Sequence, residues 1–547
     1  MNSPDPRARS SRRTRILLTL SLIVPVSLYV ALATRLLAAH VGYQMDEALY
    51  VESAVFLLHG HGTPPFVHDP ASWITLFGRS WPLMIIPYVG AAKAYVALPL
   101  FAILGTSAEV ARLSGILLGG LGIAGLLTLI GTQVGPAAGL IAGAFLAIHP
   151  SYLDFTVFDN GGASVWMAAM GLAALALTHH LRRRSTISAL LLGIAAGLGV
   201  WARANVVWLL ASAIAAALFV WGRRALPTTK HAAAMVIGGA CGALPLLVYE
   251  VRSRLATFQF MASTRQALSG RLLAPRFHGL AEVMISDGEQ RAIWAGPRLP
   301  PWQLGVGAAL LAVVLLSIFI PARNGDPAIA RWRRAFAAAA AVLMAILLLS
   351  RLNVGQHHLV AVLPLAAAAL AILAVEFARR SRRAVALIAT AAAGLAALFL
   401  CWDVRIDRGL RETGGRRVFS SAISDVSAYL ESHPVSPDRL KILNWGFQNN
   451  LYVISGGSVY GTEIFWESTR EMSRPGLTWG AEIRDGGSFL LFRFPRPTSG
   501  LSPAEEGFSE ALERHVGPRR EKLFVDRSGA PLAALIEIDP APERKPD

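Results

Sequence analysis

Trp81-Pro82-Leu83-Met84-Ile85-Ile86-Pro87-Tyr88-Val89-Gly90-Ala91-Ala92-Lys93-Ala94-Tyr95-Val96-Ala97-Leu98-Pro99-Leu100-Phe101-Ala102-Ile103-Leu104 is long and apolar enough to cross a bilayer, yet it holds three prolines and a lysine. Whether it crosses decides the side of the membrane on which everything downstream lies. A spanning helix needs about 20 apolar residues. Eleven other runs reach or approach that length: 16–36, 110–132, 136–150, 163–181, 186–202, 204–222, 231–249, 301–321, 335–350, 359–378 and 384–402. Between them stand five basic clusters. The N-terminus carries Arg7, Arg9, Arg12, Arg13 and Arg15, and Arg182-Arg183-Arg184 follow later. Then come Arg223-Arg224 with Lys230; Arg331, Arg333 and Arg334; and Arg379-Arg380 with Arg382-Arg383. Connections on the cytoplasmic side collect Lys and Arg. If 81–104 stays in the outer interface, all five clusters fall inside; if it crosses, the last four face outward. The charges therefore predict eleven spans with a cytoplasmic N-terminus. Residues 37–109, 151–162 and everything after about 403 then lie outside.

The composition agrees. The 547 residues are 54% hydrophobic and 16% charged, with mean hydropathy +0.48, against about 25% charged in a soluble domain. This excludes a disordered chain, a water-soluble enzyme and a nucleic-acid binder, although the net charge is +16. The two cysteines, Cys241 and Cys401, lie in apolar runs and cannot build a disulfide framework. Ser11-Arg12-Arg13-Thr14-Arg15-Ile16-Leu17 faintly resembles an export signal, but more membrane follows it, so it reads as an uncleaved anchor. Residues 403–547 are richer in charge, Pro and Gly. Val418–Leu430 and Ala504–Leu512 show helical spacing; Leu440–Trp445, Ser488–Phe494, Lys522–Val525 and Leu532–Ile538 read as strands. The expected architecture is an α-helical polytopic membrane domain, residues 1–402, followed by a small extracytoplasmic α/β or α+β domain, residues 403–547.

Chemistry-bearing residues gather at the outer ends of the spans, and few acids occur elsewhere near them. Gly42-Tyr43-Gln44-Met45-Asp46-Glu47-Ala48-Leu49-Tyr50 opens the first outer segment. Adjacent carboxylates at a bilayer surface are costly to bury unless a cation, a metal or a proton-transfer task compensates. The plainer reading is a helix start, with Asp46 as N-cap and Glu47 favouring the dipole. The second outer segment carries Asp154 and Asp159, the latter in the turn signal Asp159-Asn160-Gly161. Arg203, Arg351, His357 and His358 also fall outside, with snorkelling or simple interfacial packing as the plainer reading. In the outer segment 250–300, Arg252, Arg254, Arg265, Arg271, Arg276, Arg291 and Arg298 are either tolerated loop charge or guanidinium forks for a phosphate.

In order and placement these motifs resemble the GT-C superfamily of membrane glycosyltransferases, and within it glycosyltransferase family 39, over roughly residues 16–380. The acidic pair Asp46-Glu47 follows the first span. A Gly- and Pro-containing interfacial segment, Gly78 to Lys93, comes next, then Ala111-Arg112-Leu113, Pro150 ahead of Asp159, and Gly193 with Gly197-Leu198-Gly199. Two positions depart from the family pattern: Arg203 stands for a Lys and His358 for a Tyr. The resemblance implies transfer of a sugar from a polyprenyl-phosphate-linked donor to a lipid, glycan or protein acceptor at the outer face of the cytoplasmic membrane. It implies Asp46, Glu47 and Asp159 as catalytic residues, and Lys93, Arg203, Arg351, His357 and His358 as substrate-binding ones. A divalent cation is the candidate cofactor and is left open. The rival reading is a transporter or lipid flippase, which would place its ionisable groups at the bilayer midplane. A non-catalytic envelope scaffold would leave the external acids unexplained.

Overall fold

The computed structural model describes residues 6–60, 69–265, 270–321, 326–464, 483, 485–494, 503–515 and 517–539. Among the described residues, seven helices are long and apolar enough to cross a membrane: Ile16–Leu37, Ala108–Gln133, Ala163–Arg183, Val206–Ala225, Pro327–Leu349, Gln356–Ala378 and Arg382–Thr413. Two further segments are bent pairs, Pro136–Ala147 with Pro150–Val157 (63°) and Thr229–Gly242 with Leu244–Arg252 (64°). Each second half has a proline in its first turn, where the missing N–H costs nothing but the preceding helix cannot continue straight. Together with the shorter apolar helices Thr186–Ala202 and Pro301–Ser317, these occupy the eleven segments counted in the sequence.

Residues 81–104 form no single helix. A hairpin pairs Trp73–Leu76 with Arg79–Pro82, a second joins Met84–Ile86 to Val89–Gly90, and only then does the helix Ala92–Leu104 begin. Thirteen residues make a helix of roughly 20 Å, against about 30 Å of bilayer hydrocarbon.

Two expectations need correction. Residues 151–162 are not an irregular loop: Pro150–Val157 is a helix buried along its whole length, leaving only 158–162 to turn the chain. Nor does the last long helix stop at 402, since Arg382–Thr413 carries it well into the polar region.

Helix packing relies on small residues. Thr186–Ala202 and Thr229–Gly242 meet through Gly193 and Gly197 on one and Gly238 and Gly242 on the other. A Cβ at any of the four would collide with a backbone carbonyl of the facing helix. This is the spacing by which apolar helices approach closely in a bilayer.

The polar C-terminal region folds around a five-stranded mixed sheet. Its order is Thr462–Glu463, Leu440–Ile442, Gly487–Phe492, Pro531–Ile538, Arg519–Val525. Leu440–Ile442 runs parallel to both neighbours, and the other pairings are antiparallel. One face packs Phe489, Leu491, Ala534 and Ile536 against Phe508. The other packs Ile442, Leu490, Ala533 and Leu535 into one core with Tyr43, Ala48, Val51 and Val55 from the segment that follows the helix Ile16–Leu37. Burial on both faces explains why Pro531–Ile538 reads as an unbroken apolar run.

Candidate active site

The acidic pair sits on a short helix, Met45–Leu49, whose N-cap is Gln44 rather than Asp46. The Gln44 side chain accepts from the N–H groups of Asp46 (2.6 Å) and Glu47 (3.3 Å), and the Glu47 carboxylate accepts from the Gln44 N–H, closing a capping box. Capping therefore leaves the Asp46 carboxyl unspent.

The two acids then part company. Glu47 is 1% exposed and takes a two-pronged contact from Arg112, Nε at 2.7 Å and Nη2 at 2.8 Å. Arg112 also donates to the carbonyls of Val41 and Gly42, each at 2.7 Å, so it knits the acidic helix to the long helix Ala108–Gln133. Asp46 is half-buried. Burial pushes its carboxyl above the usual carboxylate range; His357, the Gln44 contact and Arg203 oppose this, and Asp159 adds to it. Asp46 thus faces two basic side chains and one acid from other parts of the chain.

Asp159 reaches that place because the chain turns through left-handed backbone, with φ of 36° at Asp159 and 68° at Gly161 and Gly162. One Asp159 oxygen accepts from the Ser164 N–H at 2.7 Å, and the other pairs with Lys93 Nζ at 2.5 Å. Both side chains are buried. Lys93 also lies 5.8 Å from the centre of the Tyr50 ring. The glycines make the site close. A Cβ on Gly161 would stand 2.5 Å from the His357 ring, and one on Gly162 would stand 3.1 Å from the Tyr50 ring.

Arg203 ends the helix Thr186–Ala202 in extended backbone bridged to Val89, which fixes it against the 84–90 hairpin. Its guanidinium is buried, donates to the Gly161 carbonyl and meets His358 Nε2 at 3.2 Å; its Nε is buried without a protein partner. The His357 ring lies 4.1 Å from that of His358, tilted by 44°, and stands 3.7 Å from the Glu289 carboxylate.

Asp46, Asp159, Lys93, Arg203, His357 and His358 therefore converge, with Glu47 one step behind in its pair with Arg112. Arg351 is exposed in the connection after Pro327–Leu349. In the 250–300 segment, Arg252 donates to the Trp73 carbonyl and Arg291 to Glu282. Arg276 donates to the carbonyls of Leu347, Leu348, Ser350 and Leu352, so it finishes that same helix end. These three are tied into the fold. The site also includes residues that the sequence reading passed over: Gln44, Tyr50, Tyr88 and Glu289. Only Gln44 had a local signal, the Gln-x-x-Glu spacing of a capping box.

Asp154 turns the other way. Its Oδ1, Asp287 Oδ1 and Asp403 Oδ2 are buried without protein partners, and the other Asp287 oxygen accepts from Trp294 Nε1 at 2.7 Å. Burial pushes Asp287 up to about 7. Asp154, which the sequence places beside Asp159, thus joins Asp287 of the 250–300 segment and Asp403 of the last long helix in a second acidic group. Among the described residues, no group of three or more His, Cys, Asp or Glu is arranged to hold a metal ion.

The chain is a multi-pass membrane protein with the fold of the GT-C glycosyltransferases. Within that class its fold is similar to ArnT from Cupriavidus metallidurans. The ArnT structure bound to undecaprenyl phosphate aligns at TM-score 0.57 and 14% identity, covering 94% of this chain and 97% of that one. The apo structure of ArnT aligns at TM-score 0.56 and 16% identity over 93% and 97%. Residues 91–249 match the family described as dolichyl-phosphate-mannose-protein mannosyltransferase. No curated protein matches the sequence.

Proposed function

We propose that this protein transfers a sugar from a polyprenyl-phosphate-linked donor to a hydroxyl-bearing acceptor at the outer face of the cytoplasmic membrane. The observation that carries the reading is a half-buried Asp46 facing His357 and Arg203 beside the buried Lys93–Asp159 pair. This arrangement sits in a fold that, in ArnT, is seen bound to undecaprenyl phosphate. A carboxyl whose proton affinity is raised by burial, while neighbouring basic side chains keep the anion accessible, is suited to take a proton at the moment of attack.

In this mechanism the acceptor oxygen attacks the anomeric carbon as its proton passes to Asp46. The bond between that carbon and the phosphate oxygen breaks, and the departing lipid phosphate gains negative charge. Arg203 answers that charge with the Nε that has no protein partner, and Lys93, paired with Asp159, is the second cation of the site. Prepositioned donors of this kind stabilise charge where it develops. Asp159 acts as the counter-ion that holds Lys93 in place. A resident divalent cation does not fit these side chains well. Lys93 already fills the open oxygen of Asp159, and Asp46 faces cations, so no step is routed through a metal.

The test is consumption of polyprenyl-phosphate sugars by the purified protein in nanodiscs, across a panel of head groups. Asp46→Asn keeps the shape but cannot take the proton, and loss of a general base costs about 10²–10⁴-fold in rate. Turnover close to wild type in a folded Asp46→Asn protein would remove Asp46 from the chemistry.

A further inference from the structure

The helix that carries Asp46 is gripped from two sides. The membrane side contributes the Arg112 fork to Glu47. The other side is built entirely by the C-terminal region. Gly42 donates its N–H to the Gly414 carbonyl at 3.1 Å. The helix Gln448–Ile454 packs on Met45–Leu49 and presents three consecutive buried amides, Gln448, Asn449 and Asn450. Asn450 Nδ2 donates to the Tyr43 carbonyl at 3.0 Å, just before the acidic helix. Asn449 Nδ2 donates to Glu52, the first residue of the helix that follows it.

We propose that Asn449 and Asn450 are positioning residues that clasp the segment Tyr43–Glu52 at both ends and so fix the Asp46 carboxyl relative to His357 and Arg203. Burying amides costs free energy unless they find fixed partners. Apolar packing alone would hold the C-terminal region in place, since Phe447, Leu451 and Val453 already share a core with Ala48, Val51 and Val55. Two amides aimed at the ends of one short helix add direction to that adhesion. The catalytic consequence rests on the function proposed above; the clasp itself does not.

The clasp has a titratable member. Burial pushes Glu52 up to about 8, the Asn449 contact opposes this, and Glu463 across the interface adds to it. Among the described residues, the other titratable groups facing Glu52 are Tyr452 and Tyr43, both held protonated by burial. A carboxyl whose folded value lies above its unfolded one favours the folded arrangement at low pH. That support is lost as pH rises through the folded value. As pH rises through about 8, Glu52 takes on a buried charge that only its Asn449 contact favours, and the closed arrangement loses support.

The experiment is hydrogen–deuterium exchange of the full-length protein in nanodiscs, without donor, at pH 7 and pH 9, alongside turnover of a polyprenyl-phosphate sugar. Asn450→Ala should speed exchange in 42–52 while the strands Gly487–Phe492 and Pro531–Ile538 stay protected. It should lower kcat by about tenfold or more while leaving donor KM within about twofold, as small misplacements of a reacting group do. Expressed as protection relative to the intrinsic amide rate at each pH, which itself rises with hydroxide concentration, wild type should show the same local loosening in 42–52 on going from pH 7 to pH 9. Glu52→Gln, whose amide oxygen can still accept from Asn449, should abolish that pH step. If Asn450→Ala fails to fold, the comparison of wild type with Glu52→Gln still decides the matter. Unchanged exchange in 42–52, or loosening spread evenly over the sheet, would overturn the clasp. Loosening confined to 42–52 in a protein that consumes no lipid-linked sugar would support the clasp and sink the proposed reaction instead.

Discussion

Asp46 and Glu47 are neighbours of nearly identical chemistry, and their surroundings give them different work. Glu47 is closed into a buried fork with Arg112, 65 residues away in the chain. Removing one partner of such a pair leaves the other charge buried and costs about 3–5 kcal/mol. Glu47→Gln should therefore appear as lost thermal stability in nanodiscs before any change in chemistry is measured. A Tm like that of wild type would argue against the fork. Asp46 differs because its carboxyl is pushed up by burial but still faces His357 and Arg203. A base must be ionised to act, so the acid limb of the rate profile should lie at higher pH than for an ordinary carboxylate, and Asp46→Glu should move that limb. Arg203 offers a test of charge against geometry. Arg203→Lys should weaken donor binding partly and Arg203→Gln severely, because only Arg keeps a planar fork that stays charged. Equal donor affinity in both variants would mean that another group receives the phosphate. The residue types at the site were legible from the sequence, and so was their clustering at the ends of spans. Their division of labour was not, because Arg112, Glu289 and the glycine contacts come from distant parts of the chain.

Among the elements, the broken helix Pro136–Val157 does most to build the site. Its second half bends by 63° from the first and is buried in the protein, where it brings Asp154 to Asp287 and Asp403 and leaves Asp159 to swing toward Lys93. The sequence showed the turn at Asp159-Asn160-Gly161 but concealed the helix before it. Pro150–Val157 is buried all round, so its apolar and polar positions carry no face-specific period. The interfacial segment 81–104 was more readable, because its prolines and Lys93 argue against a span whatever surrounds them. Gly161 is where the two halves of the site touch. Gly161→Ala places a side chain on left-handed backbone (φ 68°) and drives its Cβ to 2.5 Å from the His357 ring. Strain of this kind costs about 1–3 kcal/mol. The expected result is a moderate loss of stability together with a large loss of donor turnover, read by differential scanning fluorimetry and the donor assay on one preparation. Full activity in Gly161→Ala would show that His357 has room to move aside without consequence.

At the scale of the whole molecule, charge and core decide how the chain is laid across the bilayer. The C-terminal sheet shares a core with the first outer segment through Tyr43, Val51 and Val55 against Ala422, Leu490 and Leu535. The two regions must therefore lie on the same side of the membrane. The helix Ile16–Leu37 separates the basic N-terminus from that shared core, and Arg382–Thr413 separates Arg382 and Arg383 from it at the other end. Both basic clusters then lie opposite the core, as the positive-inside rule requires if the core is external. Reversing the chain would put the clusters at Arg182–Arg184, Arg223–Arg224 and Arg331–Arg334 outside as well, in a protein of net charge +16. A reporter that works only outside the cytoplasm, fused after Asp547, should therefore be active. The same reporter inserted next to Arg183 should be silent, and a cytoplasmic reporter should give the reverse pattern. Should the fusion after Asp547 be silent while the one near Arg183 is active, the acidic helix and Lys93 would face the cytoplasm. The donor would then have to be presented from that side.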